Sequence, residues 1–502
     1  MLPRPVFGPL RSSLVYRRFS RVPALESSWG IRPSVKKGLW LGLRWTAIAY
    51  TFVALGSLAY MGVEFMHEEQ ERPTPEEWKV LTKWSLRNAR KLMKAVDDGQ
   101  LTIEWPLVAK YLRYCLLRLE DPKCDGKGIV KLEEGLDVST KSWPWKAGYF
   151  EVIMACAVAA EHLDSSVIDT KSLHVFPKAM VIGHSNPDPI PTPIFMPPAP
   201  REEDCVRVFD PPEVFYKRVL ATKGFTTEQK LEAALAYANW MERQGQPMDA
   251  TELHEWAIDL AKNSRSPETD ALNGENKMSS NLLRATAALG MHQARVGNPS
   301  VALPILLSAL QARRSATSPL PQLATGSARC ANGTTDSNGV VQWLHRALTP
   351  PTFPPPPPSG DAPLAPRDHL TCEDSELMLY IAQIWPSATE ALDWARQGVT
   401  TAKNCLQFDK DSQSKAEQLR CLQCLEKGAG MWKLGLHNQI TGQTQSNNWL
   451  GWLWQRPDGK EKEMVQEMKD VDDLLRQARE WKPGFGGANR NLVAGSTLTA
   501  SG

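Results

Sequence analysis

TEQKLEAALAYANWMERQGQPMDATELHEWAIDLAKN, residues 227–263, reads as two amphipathic helices broken at Gly245-Gln246-Pro247. Apolar side chains recur at three- and four-residue steps on each side of the break, and a glycine followed by a proline ends one helix and opens another. Three small residues, Ala238, Ala250 and Ala257, stand at offsets of twelve and seven. NLLRATAALGMHQARVGNPSVALPILLSALQ, residues 281–311, repeats those offsets with Gly290, Ala302 and Ala309, and again puts a glycine, Gly297, five residues before the middle position. Small side chains at such places let two helices approach closely, so each stretch predicts a helical hairpin.

Offsets of this kind are those of the tetratricopeptide pattern, in which positions 8, 20 and 27 of a repeat of about 34 residues carry the small packing residues. The two copies are 52 residues apart, and the polar stretch 264–280 supplies the excess over one repeat length. One hairpin cannot bury its own faces, so at least three are expected to stack. The fold expected is therefore all-α: tetratricopeptide-like helical hairpin repeats, an α-solenoid, after a single N-terminal transmembrane helix.

That membrane helix is WTAIAYTFVALGSLAYMGV, from Trp45 to Val63, which holds no charged residue and suffices to cross a bilayer core of about 30 Å. Lys36, Lys37 and Arg44 precede it and Glu64, Glu68, Glu69 and Glu71 follow, so the charge changes sign across it. Basic flanks stay on the side where the protein is made or where positive loops are retained, and Trp45 and Tyr60 suit the two headgroup levels. Residues 1–30 carry Arg4, Arg11, Arg17, Arg18 and Arg21 against one acid, Glu26, as a mitochondrial presequence does. Arg17-Arg18-Phe19-Ser20 resembles a matrix processing site. The expected topology places the N-terminus in the matrix, the anchor in the inner membrane and the bulk of the chain in the intermembrane space.

Working outward, residues 1–35 form the presequence, 36–66 the basic flank and anchor, and 72–175 N-terminal helical pairs. A proline-rich linker is expected over 176–210, because Pro187, Pro189, Pro191, Pro193, Pro197, Pro198 and Pro200 forbid a helix. Repeats occupy 211–314. TPPTFPPPPPSGDAPLAP marks 315–369 as a disordered proline-rich insertion, with its prolines favouring polyproline II. Helical periodicity resumes over 370–482, where the last helix, with Met464, Met468, Val471, Leu474 and Leu475 on one face, serves as a cap; 483–502 is a tail.

A length of 502 residues and a net charge of +2 argue against a dedicated nucleic-acid binder. Nine cysteines, an odd number without close pairing, predict no disulfide framework. Cys421 and Cys424 form one C-x-x-C, which reads as helix packing because no second pair or histidine completes a zinc site. GLDVSTKS at Gly135 lacks the second glycine of a phosphate loop, and Ile258 stands where the second histidine of a zinc peptidase would follow His254-Glu255. The sequence predicts no catalytic residue, no cofactor and no metal. Its expected working surface is the groove lined by the first helix of each pair, with Asn239, Glu242 and Arg243 in one copy and Arg284, Met291 and Arg295 in the next. Leu235 stands where a carboxylate clamp needs a lysine.

RPSVKKGLWLGLRW before the anchor, EVFYKRVLA from Glu213, the two repeats, and SELMLYIAQIW with ALDWARQGV together resemble a fungal family. It is the tetratricopeptide-containing adaptor subunit of the mitochondrial i-AAA protease supercomplex. The similarity covers roughly residues 32–481 apart from the insertions. It implies a non-catalytic protein that binds unfolded membrane or intermembrane-space substrates and passes them to the protease, with the protease subunit and a co-adaptor as partners. The insertion at 315–367 departs from the family by interrupting the groove. Two other readings fit the same features: an outer-membrane import receptor, and an assembly factor for an inner-membrane complex.

Overall fold

Helix α1, Pro33–Glu71, is one continuous rod in the computed structural model. The structure describes residues 33–94, 103–132, 135–194, 196–264, 278–316, 353–364, 367, 369–408, 415–446 and 459–481; residues 1–32 of the expected presequence, the C-terminal tail and Trp449, Trp452 and Trp454 lie outside them, while 33–35 belong to α1. At about 1.5 Å per residue, α1 exceeds a bilayer core, and the uncharged stretch from Trp45 to Val63 is its middle. Tyr50, Phe52, Val53, Leu55 and Leu58 are exposed. Three hydroxyls there turn back onto their own helix: Thr46 Oγ1 donates to Leu43 O at 2.9 Å, Thr51 Oγ1 to Ala47 O at 2.8 Å and Ser57 Oγ to Ala54 O at 2.9 Å. The lateral surface is left apolar, as a helix in lipid requires. α1 is thus long and apolar enough to span a membrane.

The chain from Arg72 onward is a separate compact unit, mostly helical. It opens with α2, Val80–Lys94; α3, Trp105–Glu120; α4, Trp143–Leu163; and α5, Pro212–Ala221, each packed on the next. Leu86, Leu112, Leu119, Tyr149, Ile153, Phe215 and Tyr216 are buried between them. Gly148 on α4 is needed for this packing, since a Cβ there would lie 2.8 Å from the Trp78 ring and 2.9 Å from Pro75. Arg90 on α2 grips Glu151 of α4 through two nitrogens, at 2.8 and 2.6 Å, a geometry that fixes orientation as well as distance.

Sheet is scarce. β1, Val130–Lys131, pairs antiparallel with β2, Leu136–Asp137. β3, Ser166–Asp169, is the middle strand of an antiparallel sheet between β4, Val175–Pro177, and β5, Cys205–Arg207. Both outer strands fall in the interval 176–210 expected as a linker, which therefore folds back on α4's exit. Two 3-10 turns, Lys178–Met180 and Glu202–Asp204, flank the prolines, and the ends of the interval add edge strands. Asn186 Nδ2 pins the excursion by donating to Ala179 O at 2.9 Å and Val181 O at 3.0 Å, and Ser185 Oγ donates to Glu202 at 2.6 Å.

Among the described residues eight helices follow: α6, Thr227–Arg243; α7, Pro247–Asn263; α8, Ser280–Val296; α9, Pro299–Ala316; α10, Cys372–Ile384; α11, Ala388–Phe408; α12, Lys415–Ser446; and α13, Gly459–Trp481. Their ends have local causes. Thr226 and Gln229 form a reciprocal capping box on α6, and Ser279 Oγ accepts from Leu282 N at 3.2 Å to start α8. Gly245 and Gly297 take φ of +78° and +90° where α6 and α8 turn into α7 and α9. Each helix packs on its successor, and α6, α8, α10 and α12 also touch in turn, so alternate helices share a layer. Ala238, Ala250, Ala257, Ala302 and Ala309 are buried between them, and a Cβ on Gly290 would meet Leu306 Cδ2 at 2.8 Å.

Two expectations need correction. The expected insertion 315–369 begins inside α9, and its described stretch 353–364 is tied to the start of α8: Asn281 Nδ2 donates to Ser359 O and to Asp361 Oδ1, each at 2.9 Å, and Ser264 Oγ to the same Asp361 oxygen at 2.7 Å. Prolines without donors still leave carbonyls to accept, and Gly360, at φ +73°, turns the chain against Asn281. The cysteines do not simply pack apart either. Cys372 at the start of α10 is joined to Cys421 on α12, their Cα atoms 5.2 Å apart across a separation of 49 residues. The odd total hid one bridge.

Candidate partner-binding face

The layer shared by α6, α8 and α10 brings three of the six groove residues expected from sequence into contact. Asn239 and Glu242 are one turn apart on α6, and Arg295 reaches both from α8: its Nη2 lies 2.9 Å from Glu242 Oε2 and donates to Asn239 Oδ1 at 3.4 Å. Burial works to raise the Glu242 carboxyl. Contact with His292, whose Nδ1 is 3.6 Å away, and the Arg295 charge outweigh burial and hold the group below its ordinary value. Glu242 is therefore an ionised anchor for two neighbours.

The other three expected residues sit apart from this centre. Arg243 turns toward the N-terminal helices, donating through Nη2 to Glu161 at 2.6 Å. Met291 is half-buried against Leu306, Leu377 and Ile381, so it contributes packing between α8, α9 and α10. Burial raises the carboxyl of Glu232 on α6, and Arg284, exposed near the start of α8, offsets only part of that rise. Leu235 is buried with Leu231 and Ala257, and the position offers no cation.

Sequence reasoning missed the continuation onto α10. Glu376 and Tyr380, one turn apart there, both feel the Arg295 charge. Burial pushes the Glu376 carboxyl up, against the pull of Arg420, Lys427 and Arg295. Burial likewise raises the Tyr380 hydroxyl. A signal for this third pair was present, because Ala391 and Gly398 repeat the seven-residue offset of Ala250–Ala257 and Ala302–Ala309. Gly398 packs as that offset implies, since a Cβ there would lie 2.9 Å from Leu379 Cδ2.

Behind the layer lies a buried polar pair. His254 of α7 and His292 of α8 stack with centroids 4.9 Å apart. Thr251 Oγ1 donates to Pro247 O at 2.9 Å and sits 2.9 Å from His292 Nε2. Both His254 nitrogens are buried without a hydrogen-bond partner, and burial pulls its pKa down to about 4. His254 is thus a neutral packing residue, not a ligand. Among the described residues one group of side chains has metal-ligand spacing, Cys372, Cys405 and Cys421, and it lies elsewhere, where α10, α11 and α12 meet.

In chemical terms the face offers an amide, carboxylates, a guanidinium and a phenol along three neighbouring helices. Those groups suit hydrogen bonding to the backbone and side chains of another polypeptide. Comparison with known protein families, with characterised proteins and with solved structures finds no match for this chain.

Proposed function

We propose that this chain is a non-catalytic adaptor, fastened by α1 to the mitochondrial inner membrane, that holds unfolded membrane and intermembrane-space proteins and delivers them to the i-AAA protease. The observation that carries the reading is the shared layer of α6, α8 and α10, which sets Asn239, Glu242, Arg295, Glu376 and Tyr380 along one surface. Stacking of successive helical pairs with small residues at the crossings supports a tetratricopeptide-like array, and such arrays bind polypeptide segments along their inner layer. The apolar, uncharged rod of α1 supports the anchor. Basic residues before it and acids after it support an N-terminus in the matrix.

The test is a tagged pull-down from solubilised mitochondria. Recovery of the AAA protease with the wild-type chain, and capture of unfolded proteins reduced by about fivefold or more in E242A/R295A, is the expected result; that loss corresponds to about 1 kcal/mol. Recovery of respiratory-complex subunits without the protease overturns the adaptor in favour of an assembly factor. Digestion of the soluble part in intact mitochondria overturns the inner-membrane placement in favour of an outer-membrane receptor.

A further inference from the structure

Cysteines make up four of the ten residues in the apolar cluster formed mainly by α10, α11 and α12: Cys372, Cys405, Cys421 and Cys424. The Sγ atoms of Cys372, Cys405 and Cys421 all lie within 4.8 Å of one another, and all three side chains are buried. Cys424, one turn past Cys421 on the same helix, is buried too, and its Sγ is 3.9 Å from Cys372 O. A disulfide needs two sulfurs. The convergence of four, from three helices, asks for something that uses more.

Sulfurs around a tetrahedral Zn²⁺, at Zn–S of about 2.3 Å, stand about 3.8 Å apart, close to the spread of the Cys372, Cys405 and Cys421 sulfurs, and Cys424 has to turn in from the next turn of α12 to complete the set. Cys421-x-x-Cys424 has the spacing of one half of a structural zinc site, and Cys372 with Cys405 supplies the other half from neighbouring helices. Cys372 is the first residue of α10, where the partial positive charge of a helix N-terminus favours a thiolate. Leu379, Ala402, Leu406, Leu422, Leu425 and Ala478 complete the cluster and keep it dry.

We propose that, once its disulfide is reduced, this cluster is a structural zinc site in which Cys372, Cys405, Cys421 and Cys424 are the four ligands. A dithiol reductant passes two electrons and two protons to the Cys372–Cys421 bond and is itself oxidised to a disulfide. The four thiols then release their protons as Zn²⁺ takes four thiolates. Each displaced proton passes to the solvent, so zinc uptake is accompanied by proton release. The exchange replaces a covalent tie between two helices with an ion that joins three.

The experiment uses the full chain in detergent, reduced with a dithiol, incubated with zinc and freed of excess metal. The expected result is about one zinc per chain by elemental analysis and a thiolate-to-metal absorption when cobalt replaces it. Zinc should also protect Cys372, Cys405, Cys421 and Cys424 from alkylation, while Cys115, Cys124, Cys156 and Cys205 react as they do without metal. C405S is expected to lose the stoichiometric zinc. Because that variant could lose structure for other reasons, the alkylation pattern of the wild-type chain is the second readout. A reduced wild-type chain that keeps its helical circular dichroism yet binds no zinc, or that zinc protects at other cysteines, overturns the proposal.

Discussion

His254 illustrates how one side chain can tie stability to pH. Its pKa is about 4 in the folded chain against an ordinary 6.5, because burial penalises the charged ring and the neighbouring His292 and Arg295 add to that penalty, with Glu242 opposing. Between those values the unfolded chain binds a proton that the folded chain refuses. Stability is therefore complete above about pH 6.5 and is lost as the pH falls toward 4. The size is about 2 kcal/mol by pH 5. His254→Leu should remove this component, so urea midpoints of variant and wild type, compared at pH 7.5 and pH 5, should diverge in the variant's favour at the lower pH. Equal pH dependence in the two would mean that the ring is hydrated or paired in solution.

At the scale of elements, α13 shows how a terminal helix is held. Its Glu467 accepts from Arg396 of α11 at 2.6 and 2.8 Å and from Trp432 of α12 at 2.9 Å, and only Val471 and Ala478 of its described side chains are buried. So thin an apolar contact gives the polar hub a large share of the docking. Glu467→Ala leaves a guanidinium and an indole N–H without their acceptor, at a cost of about 1–3 kcal/mol. Hydrogen exchange should accelerate across residues 459–481 while α6 and α7 stay protected; uniform protection would show that Val471 and Ala478 suffice.

Elements also mark what the sequence made legible. Helices α6 to α9 could be read because each depends on local features: a cap, a turn glycine, and small residues at fixed offsets such as Ala238 and Ala250. The sheet β4-β3-β5 could not, since strands of three or four residues around a proline-rich excursion carry no period, and β3 meets β5 only across 36 residues from Asp169 to Cys205. Cys372 finds Cys421 by the same kind of long-range meeting. The partner face divides along that line. Asn239, Glu242 and Arg295 follow from repeat register, whereas Glu376 and Tyr380 lie beyond an insertion that breaks the register.

For the whole molecule, the separation of α1 from the unit beginning at Arg72 predicts how the chain behaves when cut. A chain lacking residues 1–71 should stay folded in buffer without detergent, and its thermal midpoint should lie within ~3 °C of the full-length protein in detergent. It should also appear in the supernatant after alkaline extraction of membranes, where the full chain pellets. Aggregation of the shortened chain would show that the helical body needs its anchor to fold.

One small contact reaches further than its size. Arg367 N donates to Ala316 O at 3.1 Å, so the chain comes back, after some fifty residues, to the spot it left at the end of α9. The cost of closing such an excursion grows only with the logarithm of its length. Because Ala316 and Arg367 are held together, a fluorescent reporter or an affinity epitope spliced between them should give a labelled chain that keeps the helical circular dichroism and the membrane attachment of the parent.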